Sequence, residues 1–119
     1  MTEAFEGSFS ALAAESPFAG VERRTFDSAG ATVNQYVFEP GATFPRHRHA
    51  QEQITLVTRG SITLTVGDAV RELVAGDYSV LPGEVEHGIT AGEAGAAIVA
   101  MIVPRREGAG QYTVVEEAA

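Results

Sequence analysis

Ser61-Ile-Thr-Leu-Thr-Val66, Gly67-Asp68, Ala69-Val-Arg-Glu-Leu-Val74 is the stretch that decides the fold. Hydroxyl and aliphatic residues alternate strictly from Ser61 to Val66. On an extended chain that alternation sends every hydroxyl to one face and every aliphatic to the other. Gly67-Asp68 is the two-residue loop of a tight hairpin, so Ala69 to Val74 returns as a second strand. A hairpin with one apolar face has to bury that face against further strands.

Working outward, the same grammar repeats. Val33 to Phe38, Gln53 to Thr58, Tyr78 to Leu81, Val85 to Ile89, Ala96 to Val103 and Gln111 to Val115 each read as a strand, and most of the 13 glycines fall between such segments. This is an all-β chain, a sandwich or small barrel. The exception is the N-terminus. Phe5, Phe9 and Leu12 recur at helical spacing, with helix formers up to Glu15 and a stop at Pro17, which predicts a short amphipathic helix or arm over residues 1–20. The barrel is then expected over 21–115, with a frayed tail at 116–119, all in one domain.

The chain's 119 residues, 45% of them hydrophobic, suffice for one core without disulfides. A net charge of −8, with eight Arg and no Lys, argues against nucleic acid or an anionic membrane surface as partner. No apolar run approaches the roughly 20 residues of a bilayer span. Met1 to Ser10 has two Glu and no basic residue, unlike a secretory signal, so a cytoplasmic location is expected. Without cysteine, metal chemistry would fall to imidazole and to carboxylate or amide oxygen.

All three histidines then matter. In Gly41-Ala-Thr-Phe-Pro-Arg-His47-Arg-His49-Ala-Gln-Glu52-Gln53, His47 and His49 are two apart, which on a strand turns both rings to one face. Arg46 and Arg48 alternate with them and point away, toward surface ion pairs. His87 follows Pro82-Gly83 in a second strand-like segment and is the natural third donor.

These two segments resemble the paired motifs of the cupin superfamily. Gly41, five residues, His47-Arg-His49, three residues, Gln53, six residues and Gly60 follow the first motif. Gly76, five residues, Pro82-Gly83-Glu84, two residues and His87 follow the second, with Glu84 where the family has glycine. The resemblance implies a double-stranded β-helix, or jelly-roll barrel, and a homodimer. It also implies one divalent metal ion per subunit, held by His47, His49, Gln53 and His87. Gln53 takes the register of the usual glutamate. Glu52 is one residue out of phase and therefore on the opposite face, unless the strand is irregular near Ala50, in which case Glu52 replaces Gln53. Zn is favoured; Ni, Mn, Fe and Co accept the same donors.

Tyr36, Phe38, Phe44, Thr55, Val57, Tyr78 and Met101 are expected to line a substrate pocket, and Tyr36 or Glu52 to serve as general acid or base. Four neutral donors leave the metal its full positive charge, which suits Lewis-acid chemistry on a carbonyl-rich small molecule. The H-x-H-x-x-E-Q signature is similar to that of cupins that ketonise unsaturated uronates and of resistomycin-type cupins that cyclise aromatic polyketides. Missing Lys with abundant Ala, Gly and Arg fits a GC-rich genome, and an apolar pocket fits a planar polyketide, so polyketide cyclisation in antibiotic biosynthesis is the favoured expectation. A sugar acid would call for an inward-facing Arg. An Fe-dependent dioxygenase and a non-enzymatic ligand-binding module are the alternatives.

Overall fold

The computed structural model describes residues 3–106 and 113–115. Among the described residues nine strands run in order: β1 (Glu15–Phe18), β2 (Val21–Asp27), β3 (Thr32–Phe38), β4 (Thr43–Arg48), β5 (Glu52–Val66), β6 (Ala69–Val74), β7 (Tyr78–Leu81), β8 (His87–Val103) and β9 (Thr113–Val114). Every pairing among them is antiparallel. The predicted hairpin forms with Val66 opposite Ala69 and Ser61 opposite Val74.

Two long strands make the sheet curl into a barrel. The segments read as 53–58 and 61–66 are one strand, β5, and those read as 85–89 and 96–103 belong to one strand, β8. β5 and β8 pair along most of their length, with register shifts at Val57/Arg59 and Gly60/Ile62. Gly60 sits there at φ +70°, and a Cβ on it would collide with the Gly95 carbonyl. Such shifts bend a strand. Beyond the bend the same two strands serve a different set of neighbours. The N-terminal half of β5 and the C-terminal half of β8 join β7, β3, β2 and β1 in one wall; their other halves join β6, β4 and β9 in the second.

Inward residues alternate within each half of the long strands, and the parity switches across the bend. Val57, Ile62 and Leu64 of β5, Ala96, Ile98, Ala100 and Ile102 of β8, and Tyr36 and Phe38 of β3 are buried between the walls. Outward residues such as Ile54 and Leu56 are not.

The N-terminal helix does not form. The segment makes a single 3-10 turn, Phe9–Ala11, whose Ser8 gives no side-chain cap, and Glu15–Phe18 pairs as an edge strand with β2. The reason is tertiary. A few residues of helix cannot offset nucleation on their own, whereas the arm gains by laying Phe5 and Phe9 against Phe26 of β2, at ring-centroid distances of 6.3 and 5.7 Å. Pro17 is tolerated because β1 is an edge strand. The predicted tail at 116–119 and residues 111 and 112 of the predicted strand 111–115 lie outside the described residues. No helix among the described residues is long and apolar enough to cross a membrane.

Candidate metal centre

His47 lies near the end of β4 and His87 opens β8, and the two are register partners. Their rings stand 4.2 Å apart. His49 follows directly after β4, 5.7 Å from His47 and 5.1 Å from His87. All three are buried, and one nitrogen from each falls within 4.8 Å of the others. Arg46 and Arg48 alternate outward and both reach Glu86, at 3.1 and 3.5 Å.

The turn before His87 is braced against the histidine segment. The Glu84 N–H donates to the His49 carbonyl at 2.7 Å, and a Cβ on Gly83 would collide with the Ala50 carbonyl. Glu84 adopts φ +68°. This is the left-handed conformation that glycine adopts without cost, which explains how the departure from the motif is accommodated without moving a ligand.

Each imidazole is oriented through Nδ1: His47 toward the Pro45 carbonyl at 2.9 Å, His49 toward Gln51 at 2.9 Å and His87 toward Val85 at 3.0 Å. A neutral ring that donates from Nδ1 leaves a lone pair on Nε2. The His87 Nε2 is buried with no hydrogen-bond partner among the described residues. The His49 Nε2 faces Gln53 Oε1 at 3.0 Å, while the Gln53 amide donates to Thr55 Oγ1 at 3.0 Å. With Nδ1 as the donor, the two lone pairs converge on a point that a cation between them would satisfy.

Burial opposes a proton in that role. It is the largest cause holding His47 down to about 3, followed by the charge of His87; a bond to the Pro45 carbonyl acts the other way. Burial likewise holds His87 down to about 4 and lowers His49, whose bonds to Gln53 and Gln51 oppose the shift. At neutral pH the three rings are therefore uncharged donors, ready for a cation. Three imidazoles and an amide oxygen fit a divalent transition metal such as Zn or Mn, and the donor set does not choose between them.

The sequence-predicted residues divide by parity. Gln53 and Thr55 are inward and buried, with Thr55 fully so. Glu52 is exposed on the opposite side of β5 and pairs with Val103; it is neither a ligand nor placed to exchange protons at the site. Tyr36, Phe38, Phe44, His47, Gln53 and Ile89 surround a cavity of about 10 Å³, room for about one water. Phe44 packs on His47 at 4.5 Å and on Tyr36 at 5.6 Å. Val57 is buried further along the wall. Two pocket expectations are corrected. Tyr78 is 70% exposed, because it pairs with outward Leu56; Met101 lies between the inward Ala100 and Ile102 and pairs with outward Ile54.

Arg106 was not anticipated. It is 7% exposed, its backbone N–H donates to Thr32 Oγ1 at 2.9 Å, and its charge acts to lower the pKa of all three histidines. A residue beyond the last long strand carries no periodic signal, and Arg105-Arg106 reads as a surface pair.

Barrel and buried imidazole triad together define a small β-barrel with a candidate metal centre inside one end. The chain belongs to the cupin family: the cupin domain profile matches residues 34–103. Among solved structures it is similar to an RmlC-like cupin from Shewanella frigidimarina, with 24% identity and a TM-score of 0.79 over 89% of this chain and 95% of that one. It is similar to KdgF from Halomonas sp. with 24% identity and a TM-score of 0.76, over 82% and 93%. Bacillus subtilis oxalate decarboxylase, described with Mn(II) centres, matches with 19% identity and a TM-score of 0.87; 97% of this chain spans 33% of that protein. At these identities the likeness is one of fold. No curated protein matches by sequence.

Proposed function

We propose that this cupin is a metal-dependent, non-redox enzyme that isomerises a small carbonyl-bearing acid, with ring opening or tautomerisation of an unsaturated uronate as the best-supported reaction. The observation that carries the reading is Arg106. Arg106 is buried and its charge acts on all three imidazoles, which supports assigning it as the inward cation that a carboxylate substrate calls for and makes the site less suited to a wholly apolar ligand.

His47, His49, Gln53 and His87 would hold the metal, which when bound supplies Lewis-acid polarisation of a substrate oxygen. The chain's own groups do the rest. The carbonyls of Pro45, Gln51 and Val85 fix the tautomers of the three rings. Thr55 holds the Gln53 amide so that its oxygen faces His49. Arg106 binds and orients the carboxylate. Tyr36, which shares the small cavity with His47 and Gln53, is the side chain we assign to hold a proton, at its phenol oxygen. Tautomerisation moves a proton from an enol oxygen to carbon and needs no oxidant.

Cyclisation of an aromatic polyketide is the second reading. What favours it is the aromatic wall of Tyr36, Phe38 and Phe44 beside His47. What favours the uronate over it is Arg106, whose buried charge a wholly apolar ligand would leave without a partner in the substrate.

The test is turnover of an unsaturated uronate and, separately, of an anthrone-like poly-β-ketone, each with and without oxygen. We expect metal-dependent, oxygen-independent consumption of the uronate and, in Arg106→Gln, a KM raised about tenfold or more. Polyketide turnover indifferent to Arg106→Gln would establish the second reading. Strict oxygen dependence would defeat both and point to a dioxygenase.

A further inference from the structure

The ladder between β4 and β8 is interrupted where it carries the histidines. Thr43 faces Thr90 and Phe44 faces Ile89, and the register then slips before His47 meets His87. From Phe44 to His47 β4 advances three residues while β8 goes back two, from Ile89 to His87, so one extra residue sits on β4. Pro45 falls in this slip and has no N–H to give a ladder. On the other side the strands end: His87 is the first residue of β8 and Arg48 the last of β4. The His47 and His87 pair thus lies between a bulge and a strand end, where backbone pairing opens at the least cost.

A side-chain clamp spans this gap. Glu86 directly precedes His87, and Arg46 and Arg48 flank His47. One carboxylate grips both arginines: Arg46 donates to Glu86 Oε2 at 3.1 Å, and the Arg48 guanidinium lies 3.5 Å from Oε1. Arg46 also donates through Nη1 to the Gly67 carbonyl at 3.1 Å, and the Gly67 N–H donates to the Glu86 carbonyl at 2.9 Å. Arg46, Glu86 and Gly67 therefore close a ring of hydrogen bonds that ties the end of β4, the turn before His87 and the β5–β6 hairpin together. The sheet makes room for it. A Cβ on Gly88 would lie 3.3 Å from Arg46 Cγ and 3.2 Å from its backbone nitrogen, so the arginine stem rests on bare backbone.

We propose that Glu86 and Arg46 are positioning residues for the metal: their clamp keeps His47 and His87 paired, with ring centroids 4.2 Å apart, so that both can ligate one ion. The inference rests on the metal centre and not on the reaction proposed for it. A ligand pair that frays in the metal-free chain has to be ordered again on binding, and that cost is subtracted from the affinity; a preordered pair avoids it. The effect is bounded by what the clamp itself contributes. The Arg46, Glu86 and Arg48 side chains are 24%, 34% and 45% exposed, and charge-assisted bonds so exposed contribute modestly. A purely electrostatic role is the competing account, and it has the opposite sign at the arginine. If Glu86 only attracted the cation, Arg46 would repel it, and removing Arg46 would tighten binding. A clamp loosens when either partner is lost.

The experiment is titration of Co(II) into the metal-free full chain, followed by the visible d–d absorption of the bound ion. The chains compared are the native one, Glu86→Gln, Arg46→Met, which keeps the aliphatic stem over Gly88, and the double variant. Glu72→Gln on β6 removes the same charge from the same wall and serves as control. The dissociation constant should rise about three- to tenfold in each single variant, no further in the double variant, and not in Glu72→Gln. The Co(II) band should change in position or intensity in both single variants, which a loss of stability alone would not produce. Urea midpoints of the metal-free chains establish that each variant is folded, and either single variant decides the matter if the other is not. A dissociation constant within about threefold of native in a folded single variant, or tighter binding by Arg46→Met, would overturn the proposal. A native chain that takes up no Co(II) would overturn the metal centre itself, and the role of the clamp with it.

Discussion

The inward face of β5 carries Gln53 and Thr55 in its first half and Ile62 and Leu64 in its second, and all four are equally buried. One strand and one degree of burial thus serve two chemistries, on either side of the bend at which the inward parity switches. In the second half the partners are Phe44, Ile89 and Ala91, and burial stabilises through apolar area. In the first half they are His47, His49 and His87, whose Nδ1 atoms are matched one by one to backbone carbonyls, and burial serves instead to keep the imidazoles neutral. The apolar half holds the barrel shut so that the polar half can be dry without contributing much stability of its own.

This contrast can be broken from either side. Leu64→Ala in the apolar half should cost about 2–5 kcal/mol, read as a lower urea midpoint, while leaving the metal stoichiometry of the folded fraction unchanged. In the polar half, acid is the probe. The metal-free rings hold pKa values of about 3 for His47 and about 4 for His87, below the unfolded 6.5, and His49 is also lowered. The unfolded chain therefore binds more protons below about pH 6.5, and stability is lost as the pH falls from there toward about 4. The loss should be of order 1 kcal/mol per pH unit for each imidazole, with a shallower slope in His87→Ala, as followed by urea midpoints at pH 7 and pH 5.

Smaller effects sharpen the picture. Thr55→Val removes the acceptor that orients Gln53 and should weaken metal binding about tenfold, by competition against a chelating dye. Glu84→Gly relieves a positive φ and should raise the thermal midpoint by the equivalent of about 1 kcal/mol without altering metal affinity.

Much of this was legible in the chain. The Gly67-Asp68 hairpin formed in its expected register because turn and alternation agreed. Gln53 and Glu52 were separated by parity alone. The less legible parts share a cause, which is that identity was not tied to a face. Tyr78 and Met101 have pocket-like side chains on outward positions. In β8 the inward set of Ala96, Ile98, Ala100 and Ile102 is flanked by equally apolar outward residues, so no period shows. β2 was hidden because Glu22-Arg23-Arg24-Thr25 has no apolar alternation; Arg23 is nonetheless buried, with an ion pair to Glu15 at 3.6 Å. The arm's helical spacing was real, but Phe5 and Phe9 pack on Phe26 from an extended arm and not from a helix.

The central claim is that His47, His49, Gln53 and His87 form one metal centre. Elemental analysis of the purified native chain beside the His47→Ala/His87→Ala double variant tests it most directly. The account predicts one divalent ion per native chain and none in the variant, with the fold retained by circular dichroism; full metal content in the folded double variant would contradict it.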